Sequence, residues 1–431
     1  MPASSSAIDA DAEQARQLLR AGRAAEAEPL FRRLLDADAD HVEALRALAM
    51  IALSRREPAP ALEWLARALA LGGEDARTLH NLGFARELSG DAAGAEAAYR
   101  RALALDPELE LTRLYLAALL ETQDEHAAAL HYLRALTRAQ SAGRWRSRDS
   151  TPGPLRPRVE RAIGFVIARQ QALFDEVAAP LRARYGRALL ERVERCLRVY
   201  LGQEAPPARE PAQKPGFLDF PGLRAQRYYD PVEFGWRESL EAQTPAIRSE
   251  LEAARARGAD GERVFHTDAL ESANLHHAQG AASWKGLYFY RHGESRPDTA
   301  AFAPKTSAAI ERLPLARVRG NAPEVMFSAL SAGTHLLPHR GVTNTRLVMH
   351  LPLIVPPDCA LRVGGEIHEW REGRIVVFDD TFEHEAWNRS GELRVVLIAD
   401  LWHPDLSEAE RAGVAELAAV LSDFRRQSET V

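Results

Sequence analysis

The chain has 431 residues and a net charge of −6, and 46% of its residues are hydrophobic while 27% are charged. This length predicts about three domains, and the negative balance offers no overall basic field, so we expect no nucleic-acid partner. The two cysteines, Cys196 and Cys359, form no metal or redox spacing. No signal peptide and no run of roughly 18 uncharged apolar residues is visible, so we expect a cytoplasmic protein without a membrane span.

The N-terminal third of the chain repeats itself. Three columns of aligned positions hold small or large apolar residues: Ala49, Gly83 and Ala117; Ala27, Ala61, Ala95 and Ala129; and Phe31, Leu65, Tyr99 and Leu133. This pattern, with a period of about 34 residues, resembles the tetratricopeptide repeat in about four copies over residues 10 to 140. An unrelated alanine-rich helical bundle is the alternative, but it does not explain the common register. We therefore predict a helical tetratricopeptide solenoid over residues 1–140, whose groove binds a polypeptide substrate or partner.

Residues 141–215 are predicted to be a basic linker and helical connector. The segment SAGRWRSRDSTPGPLRPR combines several arginines with proline, glycine and serine, a composition typical of a linker. A basic patch for an acidic partner is the alternative. Helical periodicity resumes from about Val159 to Leu201, and the proline-rich GQEAPPAREPAQKPG then ends it, because proline cannot continue a helix.

A β-rich domain is predicted over residues 216–408, followed by a C-terminal helix or tail at 409–431. From about Val325 the chain has short runs rich in valine, leucine and isoleucine: EVMFSALS, TRLVMHLPLIV, CALRV, RIVVF and LRVVLIADLW. Polar connections separate these runs, which suggests a small antiparallel barrel or jelly roll. The whole chain is thus predicted to be a multidomain α plus β protein.

Histidines cluster in the polar connections of this second domain or next to them. His339 lies in PHRGVTN, before one strand, and His384 lies in FDDTFEHEAWN, before another. Imidazoles on adjacent antiparallel strands can share one metal ion, and imidazole suits iron, zinc, copper or nickel. A non-haem iron site usually adds a carboxylate two residues after the first histidine, where this chain has Gly341. Spacing alone leaves two interpretations open, metal ligands or hydrogen-bonded surface histidines.

Arg394 is a candidate anion-binding residue. It lies in a strand that is otherwise apolar up to Asp400, and a cation turned into a small barrel is costly unless a carboxylate pairs with it. A bound dicarboxylate would supply that partner through a bidentate contact. The alternatives are that Arg394 faces solvent or pairs with Asp379 or Asp380. A metal, an anion-binding arginine and a β barrel together indicate an oxygenase that uses a keto-acid cosubstrate.

Three long segments carry a resemblance to a known family. GTHLLPHRGVTNTRLVMHLPLIVP, then W-REG-RIVVFDDTFEHEAWN, then RVVLIADLWHPDL are similar to the aspartyl/asparaginyl β-hydroxylase family of Fe(II)/2-oxoglutarate dioxygenases. The resemblance is strong over residues 320 to 408 and weaker from 217. It implies a double-stranded β-helix of the jelly-roll or cupin-like type, in which two histidines and no protein carboxylate hold the iron. Glycine at position 341 then becomes the expected residue.

The resemblance also implies roles for individual residues. Carried over by position, His339 and His384 are the iron ligands, and Arg394 pairs with the distal carboxylate of 2-oxoglutarate. Ser328 and His350 are further cosubstrate contacts.

One position departs from the family pattern. The animal enzymes have a second cosubstrate arginine where this chain has Val348, so a carboxylate contact is lost unless Arg346 or His350 replaces it. Around the histidine of the FDDTFEHEAWN turn, Glu383 or Asp380 is expected to orient the imidazole from outside the metal's own ligands. The alternative is that these two acids are solvated turn residues.

The resemblance implies hydroxylation of a side chain, with 2-oxoglutarate converted to succinate and CO₂. The repeats favour a polypeptide substrate, because a groove can hold an extended chain near the barrel, so we expect the β-carbon of Asp or Asn in a peptide or protein to be hydroxylated. A hydroxylase of a lipid or small molecule and a non-catalytic tetratricopeptide scaffold are the alternatives.

Overall fold

The computed structural model describes residues 5–72, 74–206, 210–259, 261–265, 267, 274–277 and 283–431. The chain forms two compact units, one made of Met1–Gln170 with Phe424–Val431 and one made of Gln171–Asp423. The domain boundaries expected at residues 140, 215 and 408 stay predictions. Across the described ranges, no helix combines the length and the apolar character that a membrane crossing requires.

The first unit is helical. Its helices are α1 (Ser5–Arg20), α2 (Ala24–Ala37), α3 (Val42–Ser54), α4 (Pro58–Gly72), α5 (Ala76–Ser89), α6 (Ala92–Leu105), α7 (Glu110–Leu120), α8 (Glu125–Ser141) and the first half of α9 (Arg156–Tyr185). Each helix from α1 to α7 packs against the next one in the chain. Aspartates begin three of them: the side chains of Asp75, Asp91 and Asp124 accept a hydrogen bond from a main-chain N–H three residues later, which satisfies a donor that the helix leaves free.

The repeating columns of the sequence are packing positions, as predicted. Ala61 and Ala95 are fully buried, and a Cβ atom added to Gly83 would lie 2.4 Å from the ring of Tyr99. The Tyr99 ring is itself fully buried, and its hydroxyl donates to Glu87 at 3.0 Å. A small residue in α5 therefore lets the aromatic residue of α6 approach closely, which explains the period of the pattern.

The second unit combines thirteen strands with helices among its described residues. The strands are β1 (Tyr228–Tyr229), β2 (Glu262–Arg263), β3 (Leu275–His277), β4 (Trp284–Arg291), β5 (Glu294–Ser295), β6 (Val325–Leu330), β7 (Thr334–His339), β8 (Arg346–Ile354), β9 (Cys359–Val363), β10 (Glu366–Glu369), β11 (Val376–Phe378), β12 (His384–Asn388) and β13 (Arg394–Trp402). The helices are the remainder of α9, α10 (Glu191–Tyr200), α11 (Arg237–Glu241), α12 (Thr244–Ala256), α13 (Pro297–Phe302), α14 (Pro304–Ile310) and α15 (Glu408–Thr430), whose last residues belong to the first unit.

The strands form two antiparallel sheets. The larger sheet has the order β1-β11-β8-β13-β6-β4-β2, with β5 paired to β4, and the smaller sheet has the order β10-β9-β12-β7-β3. From β6 to β13 successive strands alternate between the sheets, except that β9 and β10 are both in the smaller one. A helical repeat region followed by an antiparallel sheet domain confirms the predicted α plus β class. The finer assignment to a double-stranded β-helix stays a prediction.

Two apolar cores flank the larger sheet. Leu347 of β8 and Leu397 of β13 pack with Ile247 of α12 in the outer core, whereas Val348 and Val396 pack in the inner core, which includes residues of the smaller sheet. Because side chains alternate along a strand, the residues at even positions from 346 to 350 of β8 and from 394 to 400 of β13 face the space between the sheets. That set includes every polar residue of these two strands that was predicted to bind a cosubstrate.

The sequence analysis missed the five strands before Val325, β1 to β5, and three strands after it. The segments THLLPH, EIHE and HEAWN lie within what was expected to be polar connections, yet they form β7, β10 and β12. Their apolar residues are few because charged or histidine side chains occur on both faces, as the consecutive residues His384 and Glu385 do in β12, so the composition resembled that of a turn. The prediction that His339 and His384 sit in connections was therefore wrong: His339 ends β7 and His384 begins β12.

Candidate functional site

A cavity of about 520 Å³ opens between the two sheets. Six of the residues predicted to bind iron or cosubstrate line it: Ser328, His339, Arg346, His350, His384 and Arg394. The smaller sheet contributes the two histidines and the larger sheet contributes the other four residues. The fold therefore brings to one place residues that are up to 66 positions apart in the chain.

His339 and His384 form a close pair. They are direct partners in the pairing of β7 with β12, and their ring centroids lie 4.1 Å apart. The β12 strand has an irregular register immediately after His384. Two imidazoles this close and turned into the same cavity can ligate one ion.

Main-chain carbonyls orient both rings. Nδ1 of His339 lies 2.8 Å from the carbonyl oxygen of Leu337, and Nδ1 of His384 lies 3.1 Å from that of Phe382. Because a carbonyl only accepts, each Nδ1 carries the proton and each Nε2 keeps its lone pair for a ligand. We expected a carboxylate of the turn to orient the imidazole. The structure instead shows a main-chain carbonyl at Nδ1 of each ring.

Both histidines are held in the neutral form. Burial lowers the pKa of His339, and burial together with the neighbouring His339 lowers the pKa of His384 to about 3. Neutral imidazole is the form that coordinates a metal. Within the described residues, no cluster of three or more His, Cys, Asp or Glu side chains is arranged to hold a metal ion.

Asp380 occupies the space beside Gly341. A Cβ atom added to Gly341 would lie 2.1 Å from the carboxyl group of Asp380, and the glycine N–H donates to the main-chain oxygen of Asp380 at 2.6 Å. Asp380 is buried, its Oδ1 has no hydrogen-bond partner among the described residues, and burial raises its pKa to about 7. The carboxyl group of Asp380, which lies in the connection between β11 and β12, therefore leaves no room for a side chain at position 341.

Arg394 is a buried cation without a carboxylate partner in the described part of the chain. It is 2% exposed, its Nη1 donates to the main-chain oxygen and hydroxyl of Ser328 at 3.3 and 3.4 Å, and its Nε has no partner among the described residues. Burial lowers its pKa to about 10, so it remains charged at neutral pH. Solvent exposure, one alternative from the sequence, is wrong, and the side chain of Asp379 instead accepts from Gln213.

His350 and Ser328 complete this end of the cavity. His350 packs against the rings of Phe378 and Trp370, with centroid distances of 5.1 and 5.8 Å. Burial lowers its pKa well below the ordinary value, and its Nδ1 has no partner among the described residues. The hydroxyl of Ser328 accepts from the indole N–H of Trp284 at 2.8 Å. A ligand with several acceptor oxygens fits this corner.

The other end of the cavity holds a different set of charges. Nη1 of Arg346 donates to Asp400 at 2.9 Å, and Glu324 lies beside them with its pKa raised to about 7 by burial. Val348, a direct pairing partner of Asp400, lies along β8 between Arg346 and His350. Arg346 and Arg394 thus belong to opposite ends of the cavity.

Glu383 lies outside this arrangement. Its side chain is exposed and lies 3.4 Å from Arg340, which agrees with the alternative of a solvated turn residue. The sequence analysis missed Trp284, Glu324, Trp370 and Asp400, all in or against the cavity. The single visible signal was Trp370, at the start of the W-REG segment, because tryptophan between glycine-rich turns is rarely a solvent-facing residue.

Comparisons with known proteins show what each part of the chain is similar to. Residues 241–404 match the family model for aspartyl/asparaginyl β-hydroxylase, and residues 18–82 match a tetratricopeptide-repeat model. The human protein named aspartyl/asparaginyl β-hydroxylase is 34% identical over 197 residues, which is 44% of this chain and 24% of the human protein. The ornithine lipid ester-linked acyl 2-hydroxylase of Rhizobium tropici is 34% identical over 184 residues, which is 42% of this chain and 62% of that protein.

A solved structure gives a further, weaker similarity. The crystal structure of MamA is 21% identical, has a TM-score of 0.30 and covers 41% of this chain and 94% of its own. The matched part of the chain spans less than two thirds of each curated relative described above. The chain carries a domain of the aspartyl/asparaginyl β-hydroxylase family over residues 241–404, together with tetratricopeptide repeats in its N-terminal part.

Proposed function

We propose that the protein is an Fe(II)/2-oxoglutarate-dependent dioxygenase that hydroxylates a side chain. The observation that carries this proposal is one cavity in which two neutral, oriented imidazoles face a buried arginine with no carboxylate partner among the described residues. A pair of imidazoles suits a divalent transition metal, and a buried guanidinium suits a carboxylate. A metal-binding keto acid with a second carboxylate satisfies both at once.

His339 and His384 would hold the iron through their Nε2 atoms. Iron bound with 2-oxoglutarate supplies the oxygen chemistry that hydroxylates an unactivated carbon, with succinate and CO₂ as coproducts. The chain's own contribution is to keep the two rings neutral, aligned by main-chain carbonyls and shielded from bulk water. Asp380 fills the place beside Gly341, so two histidines rather than a carboxylate triad are the metal ligands that we propose.

Arg394, Ser328 and His350 would bind 2-oxoglutarate. Arg394 would form a charge-assisted pair with the distal carboxylate, and the other two would add hydrogen bonds. The sequence left open whether Arg346 or His350 replaces the arginine that is absent at Val348. Since Arg346 is paired with Asp400 and His350 is on the side of Arg394, we propose His350.

The substrate that we propose is a polypeptide, hydroxylated at the β-carbon of Asp or Asn. The domain family and the human relative's name point to that chemistry, and tetratricopeptide repeats in the same chain are a recurrent means of holding a peptide. A second candidate is an acyl chain of a lipid, because a bacterial relative with that activity in its name is equally identical over a similar length.

The decisive experiment separates these substrates. Full-length protein reconstituted anaerobically with Fe(II) and 2-oxoglutarate is exposed to oxygen in the presence of an Asp- and Asn-containing peptide library or of a lipid extract. Mass spectrometry then detects a gain of one oxygen, and succinate is measured in parallel. Oxygen in the peptide fraction supports the first candidate, and oxygen in lipid acyl chains supports the second. The absence of succinate under every condition would contradict the proposed enzyme class.

A further inference from the structure

Trp370 lies against both side chains that we assign to the cosubstrate end of the cavity. The guanidinium carbon of Arg394 is 4.8 Å from the centre of the Trp370 ring, and the His350 ring centroid is 5.8 Å away at an interplanar angle of 38°. Arg394 comes from β13 and His350 from β8, while Trp370 follows β10 of the smaller sheet. One indole therefore contacts residues from two strands of the opposite sheet.

This contact restrains the Arg394 side chain in addition to its two hydrogen bonds. Its hydrogen bonds to Ser328, at 3.3 and 3.4 Å, are at the long end of the useful range. A guanidinium over an indole face is attracted by the ring's charge distribution, and this attraction is strongest with tryptophan and when water is excluded. Trp370 is 5% exposed, so the desolvated case applies.

The three stacked residues share a second property. Arg394 Nε, His350 Nδ1 and Trp370 Nε1 are all buried without a hydrogen-bond partner among the described residues. Buried polar atoms are normally paired, because leaving them unpaired costs free energy. Three such atoms, on Trp370 and on the two side chains that it contacts, mark a corner built around a ligand with acceptor oxygens rather than a corner optimised for stability.

We propose that Trp370 is a positioning residue for the cosubstrate, which holds Arg394 and His350 in the orientation that receives the distal carboxylate of a 2-oxo dicarboxylic acid. This inference rests on the proposed function and adds a residue to it. Trp370 acts through Arg394 and His350, so its effect depends on the part of the ligand that Arg394 contacts. Trp370 therefore adds no affinity for a ligand that has the same 2-oxo acid group but no distal carboxylate.

The test compares two ligands on the full-length protein loaded with Mn(II) under anaerobic conditions. Calorimetry measures the Kd of 2-oxoglutarate and of 2-oxobutanoate, which lacks the distal carboxylate. Replacing the indole in Trp370→Leu is expected to raise the Kd of 2-oxoglutarate by about tenfold, while Trp370→Phe, which keeps an aromatic face, raises it by about threefold. The Kd of 2-oxobutanoate and that of Mn(II) should stay unchanged in both variants.

Trp387→Leu is the matched control. Trp387 also carries an arginine over its ring, Arg389 at 4.8 Å, and it is similarly buried, but it lies in β12 against His335. This variant should bind both ligands as the wild type does.

Three outcomes would contradict the inference. If Trp370→Phe raised the Kd of both ligands equally, the indole would only support the fold. If Trp370→Leu left the Kd of 2-oxoglutarate unchanged, Arg394 would not need the indole to hold its orientation. A wild-type protein that does not prefer 2-oxoglutarate to 2-oxobutanoate would overturn the proposed cosubstrate site itself, and the role of Trp370 with it.

Discussion

His339 and His384 are direct cross-strand partners whose rings lie 4.1 Å apart, centroid to centroid, at facing ends of two neighbouring strands. Their closeness follows from strand pairing, so any side chain at these two positions would meet. Their chemistry follows from the carbonyls of Leu337 and Phe382, which fix the proton on Nδ1. The prediction of metal binding therefore applies to His339 and to His384 alike.

Either His339→Ala or His384→Ala should abolish stoichiometric metal binding. Removing one of two protein ligands is expected to weaken binding by more than about 100-fold, since loss of an outer hydrogen bond alone costs 10- to 100-fold. Anaerobic equilibrium dialysis with Fe(II), followed by metal analysis, measures this. His335→Ala is the control, because His335 is on the same strand but bonds to Glu385 at 2.6 Å. Retention of one equivalent of iron by either single variant would refute the site.

Arg394→Met should weaken cosubstrate binding and stabilise the ligand-free protein. A charge-assisted hydrogen bond contributes about 1.5–3 kcal/mol, so the Kd of 2-oxoglutarate should rise by roughly 10- to 150-fold. A buried cation without a carboxylate partner among the described residues is unfavourable, so replacing it by an apolar side chain of similar length should raise the melting temperature. Calorimetry and thermal unfolding measure the two effects. A lower melting temperature with intact 2-oxoglutarate binding would contradict the assignment.

His350 and Arg346 should respond differently to substitution. His350→Ala is expected to raise the concentration of 2-oxoglutarate needed for half-maximal succinate formation, because it removes a polar contact beside Arg394. Arg346→Gln should leave that concentration unchanged, since Arg346 already donates to Asp400. Succinate formation titrated with 2-oxoglutarate measures both. The opposite ranking would assign to Arg346 the role of the arginine that is absent at Val348.

A carboxylate cannot be added at position 341 by a single substitution. Gly341→Asp should destabilise the fold by about 1–3 kcal/mol, because its Cβ would meet the buried Asp380 carboxyl group. The double variant Gly341→Asp with Asp380→Ala should recover most of that loss, since it frees the space. Chemical denaturation of the four proteins of this cycle measures the coupling. Additive effects of the two substitutions would show that Asp380 does not occupy that space.

Glu324 should make stability fall as pH rises. Burial raises its pKa from 4.5 to about 7, so between these values the folded protein holds a proton that the unfolded chain has lost, and the free energy of unfolding decreases with increasing pH. His292, at 3.0 Å, and the charges of Asp400, Arg291 and Arg346 surround the carboxyl group. Glu324→Gln should remove this dependence, so its stability relative to wild type should increase from pH 5 to pH 8.

Denaturation of both proteins across that pH range isolates the effect of Glu324 and of the groups coupled to it, because titrating groups that do not interact with Glu324 cancel in the difference. The Gln variant retains a side chain of the same shape that can still accept from the main-chain N–H of His292, which donates to Glu324 at 2.6 Å in the wild type. A constant difference at all pH values would show that Glu324 titrates normally.

The sequence by itself determined the class of each part of this protein and most of its long strands. The recurrence of small and aromatic residues predicted the helical repeats, because closely packed helices leave room only for small side chains at positions such as Ala61 and Gly83. Buried central strands such as β8 and β13 were predicted because both of their faces are covered and their composition is almost entirely apolar. The sequence analysis as a whole named eight site residues, of which the six lining residues converge in one cavity.

Only the tertiary structure decided which partners these residues have. Strands β7 and β12 are short and contain several polar residues, so their composition could not be distinguished from that of a turn. Only pairing with neighbouring strands shows that His339 meets His384. Arg346 donates a hydrogen bond to Asp400, which is 54 positions away in the chain. The indole that contacts Arg394 is that of Trp370, which follows a strand of the other sheet. Such contacts join residues that are distant in the chain, and local composition contains no information about them because they are created by the closure of the two sheets.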